Sequence, residues 1–109
     1  MILPDFKAFP RVGRILGVDW GLRRVGVAIS DPSRQFVFTR PGLVFKLGAQ
    51  NHADMIASVA AVENAVGIVV GLPIRSDGSE SETTKMVRDF IADLSVKTDL
   101  PICLIEENL

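Results

Sequence analysis

Asp19 and Glu107 are the residues whose types and positions point to chemistry. Asp19 stands at the far end of Arg14-Ile15-Leu16-Gly17-Val18, an apolar run dense enough to read as a strand buried on both faces. A carboxylate in such a place is costly to bury unless a cation or several hydrogen-bond donors satisfy it. Glu107 follows a second apolar run, Ile102-Cys103-Leu104-Ile105. Two carboxylates brought together at the ends of neighbouring strands repel each other unless a hard divalent cation lies between them. Oxygen ligands suit Mg²⁺ or Mn²⁺, whereas zinc prefers His and Cys, and the single His52 and Cys103 lie far apart in sequence. Such an ion activates water and stabilises charge on a phosphate in flight. A plainer reading also stands at this level: Asp19 caps a tight turn, and Glu106 and Glu107 are solvated charges.

The residues around Asp19 favour close approach. Gly17 and Gly21 flank it, so backbone or ligand can come near where a side chain would block the way. The resulting Gly-x-Asp-x-Gly pattern recurs in metal-dependent nucleases and in actin-like phosphotransferases. It is neither a P-loop nor a dinucleotide fingerprint, because the spacing and the following element are wrong. The actin-like alternative requires a second, nucleotide-cradling domain, for which 109 residues leave no room. Arg23 and Arg24, beside the turn, are candidates to hold a phosphate backbone, and Arg75, Lys85 and Arg88 are candidates to extend that surface. Each is equally readable as an ordinary solvated cation. Trp20 could stack on a base or pack over the turn. Asp31 reads as a turn cap before Pro32, and His52 as an exposed polar residue. Ser79 and Thr83 read as helix caps, and no serine, histidine and acid are spaced as a hydrolytic triad.

The elements that must position these groups follow from periodicity. Residues 1–13 hold two prolines and a glycine with no clear period, an irregular arm pinned by Phe6 and Phe9. Strands over 14–19 and 24–30, joined by Trp20-Gly21-Leu22-Arg23, form an antiparallel hairpin. A third strand comes from Gln35-Phe36-Val37-Phe38 or from 42–46, with Pro41 separating the two pieces. Helical spacing runs from Ala49 to Ala65, with Asn51 as cap and Gly67 as stop. Ile68-Val69-Val70 is a short buried strand ending at Gly71-Leu72-Pro73, and 74–78 is a polar loop. A helix opens at about Ser79, with Glu82 completing a capping box and Met86, Val87, Phe90, Ile91 and Leu94 forming its apolar stripe. The last strand covers 101–105. The order is β-β-β-α-β-α-β, an α/β mixed five-stranded sheet in which Asp19, Gly71-Leu72-Pro73 and Glu106-Glu107 converge at the carboxyl ends of strands.

Bulk properties narrow the class. A chain of 109 residues, 48% hydrophobic and 23% charged, suits one compact soluble domain. The formal net charge of −1 gives no global basic footprint, which weakens nucleic-acid binding as a class without excluding it. Cys103 is the lone cysteine and sits in an apolar run, which fits a core hydrophobe in a reducing, cytosolic compartment. No apolar stretch is long enough to span a bilayer, and the N-terminus lacks the pattern of a signal peptide, so no membrane association is expected.

Four motifs in order carry a resemblance over about residues 14–109: Gly17-x-Asp19-x-Gly21, Gly26-Val27-Ala28-x-Ser30-Asp31, Gly71-Leu72-Pro73 with Asp77-Gly78, and Glu106-Glu107-Asn108-Leu109. Together they resemble the YqgF/RuvX family, the Holliday-junction-resolvase-like proteins also described as pre-16S rRNA nucleases. The resemblance implies an RNase H-like fold, cytoplasmic location, cleavage at the 5′ end of pre-16S rRNA in ribosome biogenesis, and a divalent metal, Mg²⁺ or Mn²⁺. It carries Asp19 over as the first metal carboxylate and Glu107 as the second. Gly71-Leu72-Pro73 matches the loop at the active-site edge, so Gly17, Gly21, Gly71 and Pro73 frame the site. Where the family reads Asp-Glu-Arg-Leu and then Thr-Thr, this chain reads Glu106-Glu107-Asn108-Leu109, keeping the carboxylate and losing the arginine. The family also continues for a few dozen residues, with a final helix and a third catalytic aspartate. Relative to it the chain reads as truncated after Leu109, with one sheet face uncovered and inclined to self-association as a homo-oligomer. Two alternatives to pre-16S rRNA cleavage follow: resolution of branched DNA by the same carboxylates, and an RNA- or partner-binding domain with impaired catalysis.

Overall fold

In the computed structural model, residues 1–21, 24–35, 37–44 and 52–108 are described, with backbone alone for 40–44. The elements are β1 (Arg14–Trp20), β2 (Arg24–Ser30), β3 (Val37–Val44), α1 (His52–Val62), β4 (Ala65–Ile74), α2 (Glu82–Lys97) and β5 (Ile102–Asn108). They form a five-stranded sheet in the order β3-β2-β1-β4-β5. The β1–β2 and β2–β3 pairs are antiparallel, and the β1–β4 and β4–β5 pairs are parallel. This is the expected β-β-β-α-β-α-β mixed sheet.

Period-two alternation divides each strand between two faces. Leu16 and Val18 of β1, Val25, Val27 and Ile29 of β2, Ile68, Val70, Leu72 and Ile74 of β4, and Ile102 of β5 are buried in one cluster with Ala53, Ile56 and Ala60 of α1 and Val87, Phe90, Ile91 and Leu94 of α2. Both helices therefore cover the same face. Each fully buried Ile or Leu there contributes about 1.5–3 kcal/mol of burial free energy. The opposite face is built from the intervening residues: Ile15, Gly17 and Asp19; Gly26 and Ala28; Gly67, Val69 and Gly71; Cys103, Ile105 and Glu107.

The N-terminal arm crosses the lower half of that second face. Ile2 forms a parallel bridge with Ile102 at the free edge of β5. The Cys103 thiol donates to the Asp5 carbonyl at 3.2 Å. Phe9, only 6% exposed, lies over Gly67, where an added Cβ would stand 2.9 Å from ring atom Cε1. Gly13 then donates to the Pro32 carbonyl, and Arg34 Nε donates to the Gly13 carbonyl. Phe9 is thus the pin, as expected, while Phe6 stays exposed and packs edge-on against it. The face expected to be uncovered is thus covered by the arm over its lower half.

Several boundaries differ from the sequence expectation, each for a local reason. The two candidate pieces of the third strand are one strand: a register shift opposite Val25–Val27 takes up Pro41, which an edge strand tolerates. Helix α1 ends at Val62, and Asn64, at φ 55°, turns the chain, so Gly67 is no helix stop but a strand residue under Phe9. The expected cap Asn51 lies outside the described residues. Strand β4 runs on through Gly71-Leu72-Pro73 to Ile74 and pairs with Glu106, Glu107 and Asn108, so these motifs are neighbouring strands and not loops. The helix cap is Ser81, with Thr84 closing the capping box in place of Ser79 and Glu82. Thr84 is fully buried and its hydroxyl also donates to the Pro73 carbonyl at 2.5 Å, tying the start of α2 to the end of β4.

Candidate active site

The sheet register brings the two carboxylates to one place. Asp19 is opposite Gly26 on β2, and because Val18 pairs with Val70, Asp19 stands abreast of Gly71 on β4. On the other flank Gly71 pairs with Ile105 and Pro73 with Glu107. The Glu107 side chain folds back over Gly71: a Cβ at that glycine would stand 2.7 Å from the Glu107 carboxyl carbon. Only a residue without a side chain allows a carboxylate from β5 to lie across β4 towards β1. Both carboxylates are exposed, so neither is a buried charge waiting for rescue. They face an open groove of about 500 Å³ whose lining includes Gly17, Gly26, Ala28, Val69 and Gly71 along the floor.

Three further side chains border this groove: Arg24, Thr39 and Ile105. Arg24 is the one candidate phosphate contact among the five that the described structure places beside the carboxylates. Arg23 lies outside the described residues. Arg75 is on the exposed loop after β4 and reaches Ser79. Lys85 pairs with Glu82 at 3.5 Å, and Arg88 makes two 2.9 Å bonds to Glu80. The Arg88 hydrogen bond holds the exposed Glu80 carboxyl below its ordinary range, and Glu80 raises Arg88 in return. Lys85 and Arg88 thus belong to the helix layer and already face carboxylates. Thr39 and Ile105 were not singled out in the sequence, although alternation along β3 and β5 is the signal that would have found them. Gly21 lies in the turn after β1, where a Cβ would stand 2.7 Å from the Arg24 carbonyl oxygen, and is not among the residues that line the groove. Pro73 sends its carbonyl to Thr84, away from the β5 ladder.

Trp20 turns to the helix side. Its Nε1–H donates to His52 Nδ1 at 2.9 Å, and its ring lies 6.4 Å from that of Phe90. It packs at the turn and is not a base-stacking platform, and His52 is half-buried instead of exposed. Burial lowers the His52 pKa, consistent with a neutral ring accepting the indole proton. Asp31 caps its turn through Ser33, as expected. Asp77 does the same through the backbone N–H and hydroxyl of Ser79, which lower its pKa.

A three-strand antiparallel meander followed by two parallel crossovers, with helices on one face, is the RNase H-like architecture. The same fold is found in T. thermophilus RuvC in complex with a Holliday junction substrate, with a TM-score of 0.57, 12% identity, and coverage of 85% of this chain and 64% of that one. The model of the RuvX family, described as Holliday junction resolvase, matches residues 13–109, and the chain belongs to that family. Curated relatives include proteins named "Putative pre-16S rRNA nuclease" from Nitratidesulfovibrio vulgaris, 41% identical over 88% of this chain and 67% of that protein. Another from Rhodopseudomonas palustris is 38% identical over 99% of this chain and 68% of that protein. The chain spans about two thirds of the length of these relatives.

Proposed function

We propose that this chain is a metal-dependent nuclease domain that cleaves precursor 16S rRNA near its 5′ end, in the cytoplasm. The observation that carries the reading is the Asp19–Glu107 pair, lining one open groove, with Gly71 between their strands leaving room for the Glu107 carboxylate to lie across the sheet. Family membership and the names of the relatives support the nuclease class. Cys103, a free and buried thiol, suits a reducing compartment, and no helix among the described residues is long and apolar enough to cross a membrane.

The donor set fits Mg²⁺ or Mn²⁺. It offers carboxylate oxygens and no imidazole or thiolate, since His52 is engaged with Trp20 and Cys103 lies under the arm. Asp19 and Glu107 are the carboxylates that line the groove, and they would hold the ion. When bound, such an ion supplies Lewis acidity at a phosphoryl oxygen and a more acidic water. The chain's own part is positional. Arg24 meets a non-bridging oxygen, and the floor of Gly17, Gly26 and Ala28 lets the sugar-phosphate backbone settle against the sheet. Ile105, 48% exposed, offers an apolar wall for a ribose or base edge.

The Asp19→Asn variant should lose cleavage of a pre-16S leader about a thousand-fold while melting at the parental temperature. Parental cleavage by that variant would overturn the assignment. The RuvC-like fold favours one second reading, cleavage of branched DNA. A four-way junction and a pre-16S leader assayed side by side with Mg²⁺ or Mn²⁺ separate the two, with faster cleavage of the leader expected. Millimolar Mg²⁺ that leaves the Asp19 NMR resonance unmoved would instead point to an RNA-binding domain without catalysis.

A further inference from the structure

The cations of this protein fall into two groups that behave differently. Residues 1–44, comprising the arm and the antiparallel half of the sheet, hold seven of the twelve Lys and Arg and three of the thirteen Asp and Glu. The rest of the chain, including both helices, holds five and ten. A net charge near zero therefore conceals a basic half and an acidic half. On the helices the cations are paired: Lys85 with Glu82, Arg88 with Glu80, and Lys97 with Asp54. Arg14 at the base of β1 is paired as well, with Glu63. By contrast, Lys7, Arg11 and Arg24 are exposed and have no carboxylate within 4 Å among the described residues.

Their location matters more than their number. The arm lies on the same sheet face as Asp19 and Glu107. Its pin, Phe9, is over Gly67, four residues down β4 from Gly71, or about 13 Å at the rise of a parallel strand. Beneath the arm, Arg34 adopts a left-handed backbone at φ 60°, donates through Nε to Gly13, and carries its guanidinium 6.0 Å from the centre of the Phe9 ring. Its Nη2 is buried with no hydrogen-bond partner among the described residues. A guanidinium held there without a carboxylate adds positive potential to the surface above it.

Resting on the nuclease reading, we propose that the N-terminal arm is a second phosphate-contact surface, over which the substrate strand runs as it leaves the carboxylate groove. Lys7 and Arg11 meet the backbone a few nucleotides from the scissile bond, Arg24 meets it at the groove, and Arg34 pins the arm. The ligand class is a phosphodiester backbone, recognised by charge and not by base. The acidic helix layer, including Lys85 and Arg88, stays off the strand.

The test measures binding of a fluorescent single-stranded RNA spanning the leader, and of the same sequence as DNA, in an Asp19→Asn background across a salt series. Removing two phosphate contacts with Lys7→Ala/Arg11→Ala should weaken binding of both nucleic acids about ten-fold at 0.1 M salt. It should also flatten the log–log salt slope by about 1.4, from two contacts at about 0.7 each. Lys85→Ala/Arg88→Ala should change neither quantity. An unchanged melting temperature and an unreactive Cys103 thiol, which the docked arm covers, show that the arm is still in place. Equal effects of the two double variants, or no effect of the first, would overturn the proposal. A loss on RNA alone would also overturn it, since phosphates are common to both strands. If the parent cleaves and Asp19→Asn does not, those results leave the nuclease reading standing. If the parent neither binds nor cleaves, that reading fails with it.

Discussion

The two faces of the sheet use the same strands to opposite ends. On the helix side, Leu16, Val18, Val27, Ile68 and Val70 are large and buried, and they interlock with α1 and α2. On the other side, the alternate positions of those strands are Gly17, Asp19, Gly26, Ala28 and Gly71, residues that fill little space. One face is closed by volume and the other is kept open by its absence. The difference teaches that stability and candidate chemistry alternate residue by residue along β1 and β4, so neighbouring substitutions should have unrelated consequences.

The contrast between the faces is largest across two paired strands, β1 and β4. Asp19→Asn should abolish cleavage without moving the melting temperature, whereas Ile68→Ala, one strand over and facing α1 and α2, should cost about 2–5 kcal/mol in a denaturant titration. An Asp19→Asn protein that melts early would erase the distinction between the faces. Gly71→Ala tests the open face by volume alone. The three atoms nearest the new Cβ all belong to the flexible end of Glu107, so the fold should survive while the displaced carboxylate costs about 10–100-fold in cleavage rate. Gly67→Ala places the same methyl lower on the same face, under the rigid Phe9 ring at 2.9 Å from Cε1. It should cost about 1–3 kcal/mol and expose Cys103 to thiol reagents as the arm lifts. The smallest effect lies where the end of β1 meets the start of α1. Burial lowers the His52 pKa, so the unfolded chain binds its proton more readily, and stability is full above the ordinary value of about 6.5. As pH falls below that value through the folded pKa, His52 Nδ1 takes up a proton and can no longer accept from Trp20. Trp20 fluorescence should change over that window, and His52→Phe should remove the step.

Much of the site was legible before the fold was known. Asp19 at the end of an apolar run, the flanking glycines, and Glu107 after a second run were all readable, because strand residues that carry charge beside glycine stand out against an apolar background. The element order and the mixed character of the sheet were legible too, since short links make antiparallel pairs and helical crossovers make parallel ones, whereas the placing of β4 beside β1 was not. The nucleic-acid contacts were less legible. Lys85 and Arg88 looked like phosphate ligands by their position near a loop, but their fate depended on Glu82 and Glu80, partners set by helix spacing and by the turn before α2.

What the chain determined by itself is therefore local: which stretches are strands, where alternation puts charge, and which two carboxylates stand near strand ends. β4 continues through Pro73 against expectation, because a proline in a strand is acceptable only where no ladder bond needs its missing N–H, and its carbonyl here accepts from Thr84. Tertiary structure alone decided three things. It laid the arm across the lower sheet face, since nothing local links Phe9 to Gly67 or Asp5 to Cys103. It turned Trp20 inward onto His52 and Phe90. And it chose Gly71 as the point over which Glu107 reaches towards Asp19, because strand register between residues far apart in sequence is fixed only when the helices close the other face.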